Sequence, residues 1–144
     1  MATRDLIFGG CGGGSKTADA GLAIVRLLAG VALAVNHGAA KIHDPSQVIG
    51  GASHMGFPAP TFFGWMAAIS EFFGGILLAL GLATRPAAFL VCCTMATAAF
   101  LFHSHDNFGT REPALLFLSI GLLFLLAGSG RYGVDAMIRR KRKS

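Results

Sequence analysis

Four long apolar segments constrain the fold of this chain more than any other feature. They cover residues 20–41, 61–82, 86–103 and 113–128, and each approaches the ~20 residues that an α-helix needs to cross ~30 Å of hydrocarbon. Hydrophobic residues make up 53% of the 144 positions and charged residues only 13%. This composition is too apolar for an ordinary soluble domain of the same length. The sequence therefore predicts an all-α fold, an integral membrane four-helix bundle.

Proline and glycine indicate where the helices begin and end. Pro86 and Pro113 each stand at a plausible first helical turn, where the missing N–H costs no hydrogen bond. Residues 43–60 are rich in glycine and proline, which predicts a loop or a short re-entrant or interfacial piece rather than a fifth span. The other connections are short, so consecutive helices should be antiparallel neighbours in an up-down bundle. We expect one membrane domain at residues 21–130, between a flexible Gly-rich tail (1–20) and a basic tail (131–144).

The distribution of Lys and Arg predicts the orientation in the membrane. With four spans, both termini lie on one side. That side carries, outside the spans, Arg4, Lys16, Arg85, Arg131, Arg139, Arg140, Lys141, Arg142 and Lys143, whereas the opposite side carries Lys41 and Arg111. Because Lys and Arg are enriched in cytoplasmic flanks, we expect both termini to be cytoplasmic. The net charge of +5 then reflects membrane flanks, and no nucleic-acid partner is expected.

Polar residues inside the spans are the candidates for a functional site, because a charge in hydrocarbon is costly and usually faces a cavity or the bundle interior. Glu71 lies about halfway along the second span, so it should be protonated, paired with a cation or open to water. Arg26, His37 and His103 are the expected partners within the spans. A structural salt bridge is the plain alternative to a proton-handling or ligand-binding carboxylate.

The first span carries a second set of polar positions. Arg26, Gly30, Leu33, His37 and Lys41 recur every three or four residues, which predicts one helical stripe facing other helices. The alternative is that Arg26 and Lys41 snorkel to opposite interfaces and His37 bonds a neighbouring carbonyl. We expect a polar pocket that opens toward the outer side, with Glu71 at its floor.

Two short motifs are weak signals for chemistry. His103, His105 and the adjacent Asp106 could ligate a metal, but an isolated H-x-H-D pattern is a weak signal without a further confirmed ligand, so we expect an outer-surface polar cluster and no metal. Cys92 and Cys93 lack C-x-x-C spacing, and their apolar segment predicts buried structural thiols rather than disulfides. The sequence contains no phosphate loop, dinucleotide fingerprint or nucleophile elbow. Redox chemistry would therefore need a partner subunit or a membrane quinone.

Several of these features together form a family pattern. Arg26 lies early in the first helix, Asn36-His37-Gly38 leads to Lys41 at its end, and Pro58 precedes the second helix. The second helix contains Glu71-x-x-Gly74-Gly75, followed by Gly81-x-x-Thr84-Arg85, and the third ends in His103. Over residues 21–130 the chain resembles the DoxX family of small four-helix bacterial inner-membrane proteins. The stretch from Glu71 to Arg85 is the most specific part of the resemblance.

The resemblance implies a role in membrane redox systems. Some members look like the membrane subunit of a thiosulfate:quinone oxidoreductase, and others are linked to quinone or thiol stress and to membrane oxidoreductase complexes. It implies that this chain is a subunit or accessory of such a system, binding a quinone or similar small molecule, with a partner redox subunit or a homo-oligomer as the possible assembly. The candidate ligand-binding residues are His37, Lys41, Glu71 and His103, with Arg26, Asn36, Arg85 and His105 in supporting roles. No covalently bound cofactor is expected, and whether the chain is itself an enzyme stays open.

Two other functions remain as alternatives. A proton or solute transporter would need a continuous polar route from Arg26 to His37, yet residues 114–127 of the fourth helix offer only Ser119 as a polar side chain. A structural scaffold for partner proteins would pair its charges internally and rest its basic tail on anionic lipid.

Overall fold

The computed structural model describes residues 15–141, and these residues form helices and no strand. The helices are α1 (Lys16–His43), α2 (Ser46–His54), α3 (Pro60–Leu80), α4 (Thr84–Phe102), α5 (Phe108–Ala127) and α6 (Val134–Lys141). Two of them contain a π-helical segment, Leu33–Gly38 in α1 and Ala98–Phe102 in α4. Cys11, most of the Gly-rich tail, and Arg142 and Lys143 lie outside the described residues.

Four helices of the described chain, α1, α3, α4 and α5, are long and apolar enough to cross a membrane. This confirms the predicted all-α membrane fold. The first helix begins at Lys16, four positions before the predicted span, because the Ser15 hydroxyl caps it by accepting a hydrogen bond from Ala18 N at 3.2 Å. Below, the terminal end is the end of the bundle where α1 begins and α5 ends, and the loop end is the other.

The segment between the first two spans contains the short helix α2. Its nine residues are too few to span a bilayer, in line with the prediction of a short piece rather than a span. Asp44 precedes it, and its carboxylate accepts a hydrogen bond from Ser46 N at 3.0 Å. Hydrogen bonding from the side chain and backbone of Ser46 holds the pKa of Asp44 below its usual value.

The predicted start of the fourth span was wrong. The helix begins at Phe108 and Pro113 lies inside it, whereas Pro86 does fall in the first turn of α4. The reason is a cap that the proline signal obscured: the Asn107 side chain accepts a hydrogen bond from Thr110 N at 3.1 Å. Arg111, in the added turn, donates from Nε to Ala99 O at 3.1 Å and ties α5 to α4.

Helices α1 and α3 pack with their backbones in contact. A Cβ on Gly30 would lie 2.5 Å from Gly75 O, and a Cβ on Gly75 would lie 2.8 Å from Gly30 O. Gly38 is similarly pressed against the backbone of Phe72. Small residues allow such close approach between membrane helices. These glycines fix the height at which α1 and α3 meet, and hence the height of the side chains near their contact.

Substituting Gly30 by alanine should destabilise the bundle, because the added methyl group would meet backbone atoms that cannot move aside. We expect G30A to lower the free energy of unfolding by about 1–3 kcal/mol, measured as thermal unfolding in detergent. Gly21 is a matched control in the same helix, since nothing lies within 4 Å of a Cβ placed there. G21A should be neutral or slightly stabilising through helix propensity. Equal stability of the two variants would contradict the close packing of α1 against α3.

Candidate ligand-binding site

A cavity of about 500 Å³ lies between α2, α3 and α4, with Lys41 of α1 also in its wall. This volume is in the range of small-molecule sites. Most of its wall is apolar, formed by side chains that include Phe57, Phe62, Phe63, Met66, Leu90 and Phe102. Its polar groups include Lys41, Ser70, Glu71 and His103. An apolar cavity with a few convergent polar groups is the usual form of a ligand site.

Lys41 and Glu71 form an ion pair in this cavity. Lys41 Nζ donates to both carboxylate oxygens, at 2.6 Å to Oε1 and 2.5 Å to Oε2. The Glu71 side chain is 2% exposed and that of Lys41 is 27% exposed, so the carboxylate lies deeper and depends on the ammonium group for its counter-charge. The expectation that Glu71 pairs with Arg26, His37 or His103 was wrong: in the described chain its carboxylate pairs with Lys41.

The π-helical segment of α1 explains this difference. A π-helix closes hydrogen bonds from i to i+5 rather than i+4 and so adds a residue to the turn. Residues four apart across it therefore no longer point the same way. The His37 ring packs edge-on against Phe117 of α5, with centroids 5.3 Å apart, while Lys41 reaches Glu71 of α3. The predicted stripe does face neighbouring helices, but its residues contact two different helices, α5 through His37 and α3 through Lys41. His37 lies outside the cavity lining.

His103 lies at the loop end of α4 and lines the same cavity. Its Nδ1 is 2.6 Å from Asp106 Oδ2, and the side chains of His103 and Asp106 are 25% and 48% exposed. His105 is exposed and is not part of the lining. Within residues 15–141, no group of three or more His, Cys, Asp or Glu side chains is placed to hold a metal ion. The described cluster is thus a His–Asp pair at the edge of the cavity.

The two cysteines of α4 differ in environment. Cys92 is buried, as expected, but Cys93 is exposed and lines the cavity, so the prediction of two buried thiols was wrong for Cys93. Cys93 shares an exposed helical stripe with Phe89 and Phe100, which are 55% and 54% exposed. In a membrane this stripe faces lipid. Because Cys93 belongs both to this stripe and to the cavity wall, the cavity reaches the lateral surface of the bundle.

Arg26 belongs to a second polar cluster, at the terminal end. It is 4% exposed and donates from Nη1 to Ser129 O at 2.6 Å and from Nη2 to Tyr132 O at 3.5 Å. Gly81 makes room for it, since a Cβ on Gly81 would strike the guanidinium group. Gly81 also ends α3 with φ +68°, a left-handed conformation that glycine adopts at little cost. Arg26 thus holds the C-terminal segment and does not reach Glu71.

Asp135, a residue that the sequence analysis overlooked, completes this second cluster. It is 1% exposed, and its carboxylate accepts hydrogen bonds from Ala83 N at 2.8 Å, Thr84 N at 2.9 Å and Thr84 Oγ1 at 2.8 Å. It therefore caps the start of α4 from the far end of the chain. Residues 131–141 are thus docked on the bundle, in contrast to the tail expected there. The signal was available: Asp135 is the one acidic residue after Glu112.

The remaining supporting residues are peripheral to the cavity. Asn36 is exposed on α1. Arg85 donates from Nη2 to Leu126 O at 3.0 Å and so joins α4 to the end of α5. Neither residue lines the cavity.

Comparison with known proteins identifies a family and several relatives of this chain. The sequence profile of the DoxX family matches residues 21–104. The chain is 32% identical over 128 residues to an uncharacterized protein of Haemophilus influenzae, covering 83% of this chain and 92% of the relative. It is 30% identical over 132 residues to the inner membrane protein YqjF of Escherichia coli, covering 88% and 98%.

A third relative is an uncharacterized membrane protein of Mycobacterium tuberculosis, 33% identical over 132 residues, with 81% of this chain and 80% of the relative covered. No solved structure matches the chain at a significant level. The family profile covers more than half of the chain, and the three relatives are matched along most of their lengths. The chain belongs to the DoxX family of membrane proteins.

Proposed function

We propose that this DoxX protein binds a quinone or a similar small membrane-soluble molecule in the cavity beside Lys41 and Glu71, as a subunit or accessory of a membrane redox system. The observation that carries the proposal is the ion pair itself. A charged pair is rarely retained inside an apolar membrane cavity unless it has a function. Here it lies in a cavity of about 500 Å³, large enough for a ring headgroup.

The cavity walls fit such a ligand. Aromatic and methionine side chains, including Phe62, Phe63 and Met66, offer flat, polarisable surfaces to a ring. Lys41 Nζ can donate a hydrogen bond to a ring carbonyl, and Glu71 can accept or return a proton at its carboxylate. A bound quinone would supply the electron-accepting ring, with the two electrons of its reduction coming from a partner redox subunit.

The contact of the cavity with the lateral surface at Cys93 supports a sideways opening, through which a ligand would arrive from the bilayer rather than from water. A quinone is dissolved in the hydrocarbon, and an opening on the lipid-facing stripe of α4 would admit its ring without a passage through the headgroups. The opening therefore favours a lipid-soluble ligand over a polar solute.

The packing between the two polar clusters argues against a transport route. Between Arg26 at the terminal end and Glu71, α1 and α3 meet through Gly30, Ala34 and Gly75 with backbone contacts. Such contacts leave no room for a polar path along this interface. Proton flux through proteoliposomes should therefore be the same with the wild-type chain and with Glu71→Gln.

We further propose that both termini face the cytoplasm of a bacterial inner membrane. The Lys and Arg asymmetry supports this orientation, and the relative from Escherichia coli is named an inner membrane protein. The cavity, at the loop end, would then lie in the outer half of the membrane.

Blocking the sideways opening tests the proposed function. Cys93→Trp should place an indole ring in the opening and weaken binding of a short-chain benzoquinone at least ~10-fold, since a lost contact surface of this kind exceeds about 1.4 kcal/mol. Phe89→Trp is the matched control, because Phe89 lies on the same exposed stripe and outside the cavity lining. Binding would be measured by calorimetry in nanodiscs. If both variants bind like the wild-type chain, the ligand does not use this cavity.

A further inference from the structure

Ser70 is a buried polar residue in the cavity wall without a partner for its hydroxyl group. It precedes Glu71 in α3, lines the cavity and is 2% exposed. Its Oγ has no hydrogen-bond partner among residues 15–141. A buried hydroxyl group without a partner costs free energy, and buried polar groups in folded proteins are nearly always satisfied. The position therefore calls for a hydrogen-bond partner from outside this chain.

Other hydroxyl groups in the same bundle show how a helix ordinarily satisfies them. Thr97 Oγ1 donates to Cys93 O at 2.9 Å, and Ser119 Oγ donates to Leu115 O at 2.8 Å. In both cases the acceptor is the carbonyl four residues earlier. The corresponding acceptor for Ser70 would be the carbonyl of Met66, within the same helix, but Ser70 Oγ makes no such bond in the described structure.

Close to Ser70 the cavity has one charged anchor, the Lys41–Glu71 pair, while most of the cavity wall is apolar. Lys41 Nζ donates hydrogen bonds to both carboxylate oxygens of Glu71. Of its three N–H groups, one is therefore left to donate to a ligand atom. A second hydrogen-bond donor in the same wall would fix the orientation of a ring that carries oxygen atoms. The aromatic side chains cannot do this, because they contact the face of any ring of similar size.

We propose that the Ser70 hydroxyl donates a hydrogen bond to a ring oxygen of the cavity ligand and thereby selects oxygen-bearing rings over hydrocarbon rings of the same size. The inference rests on the proposed function of the cavity and adds a specificity-determining residue to it. Removing the Ser70 hydroxyl group should weaken binding of a ligand whose ring carries an oxygen acceptor. It should not destabilise the fold, because Ser70 Oγ has no hydrogen-bond partner among the described residues.

The test is Ser70→Ala, which removes one oxygen atom and leaves the helix intact. We expect its affinity for a short-chain benzoquinone in nanodiscs to fall about 2- to 12-fold, as for one lost hydrogen bond, while its affinity for an alkylbenzene of equal chain length stays unchanged. Its thermal unfolding temperature without ligand should equal or exceed that of the wild-type chain. Ser119→Ala is the control, since Ser119 is exposed on α5 and outside the cavity lining.

Each outcome separates this inference from the function on which it rests. If the wild-type chain does not bind the benzoquinone, the proposed function fails and the inference fails with it. If the wild-type chain binds and Ser70→Ala binds equally well, the hydroxyl group serves only bound water and the inference alone is overturned. An equal loss of affinity for the alkylbenzene would also overturn it, because Ser70 would then act through packing.

Discussion

Lys41→Met is expected to lower the free energy of unfolding by about 3–5 kcal/mol, the range for removing one partner of a buried ion pair. The reason is that Glu71, with 2% of its side chain exposed, would lose both hydrogen bonds from Lys41 Nζ and its counter-charge. Thermal unfolding in detergent, followed by circular dichroism, would measure the loss. Lys16→Met is the control, since Lys16 is exposed at the start of α1.

The double variant Lys41→Met with Glu71→Gln separates stability from function. It removes both charges and should regain most of the lost stability, because neutral replacements of a buried pair are often tolerated. The double variant should nevertheless not bind quinone, since it lacks both the hydrogen-bond donor Lys41 and the proton acceptor Glu71. If the double variant binds as the wild-type chain does, the ion pair is structural and the site lies elsewhere.

Asp135→Ala is expected to have the second largest effect, a loss of about 3 kcal/mol or more. Its carboxylate accepts three hydrogen bonds at the start of α4, and a hydrogen bond to a charged group contributes about 1.5–3 kcal/mol to stability. Arg26 would also lose the nearby negative charge that offsets its own. Limited proteolysis should then cleave the segment after Gly128 faster, alongside a lower unfolding temperature.

The exposed residue Glu112 provides the control for this prediction. Glu112→Ala removes an acidic side chain from α5 at a position that is exposed, so neither stability nor the rate of cleavage should change. If Asp135→Ala behaves like Glu112→Ala, the C-terminal segment is not held by its contact with α4. Binding of quinone should survive in Asp135→Ala protein that remains folded, because the cluster at the terminal end is separate from the cavity.

The spans could be predicted from the sequence because the signals for them are local. A run of about 20 apolar residues with a polar residue inside it is visible without any knowledge of the fold. Glu71 could be singled out for the same reason, because it lies in the middle of such a run, whereas its pairing with Lys41 could not be predicted. Pro113 led to a wrong prediction of where α5 begins, because a proline is tolerated at several positions near a helix start. The cap at Asn107 sets the start of α5 instead.

The directions of the His37 and Lys41 side chains could not be predicted, because they depend on the π-helical segment Leu33–Gly38 of α1. No residue pattern in α1 predicts that segment, which lies where Gly38 packs against α3. Counting in steps of 3.6 therefore placed His37 and Lys41 on one face. The role of Asp135 was hidden for a different reason, since its partners Ala83 and Thr84 lie about 50 positions away in the chain.

The most direct test of the central claim is to extract the protein in native-lipid nanodiscs and identify by mass spectrometry the small molecules that remain bound. The claim predicts that wild-type protein retains a quinone, and that the double variant Lys41→Met with Glu71→Gln, although folded, retains none above the level in the surrounding lipid. Equal quinone content in the two preparations would contradict the claim that the Lys41–Glu71 pair holds the ligand.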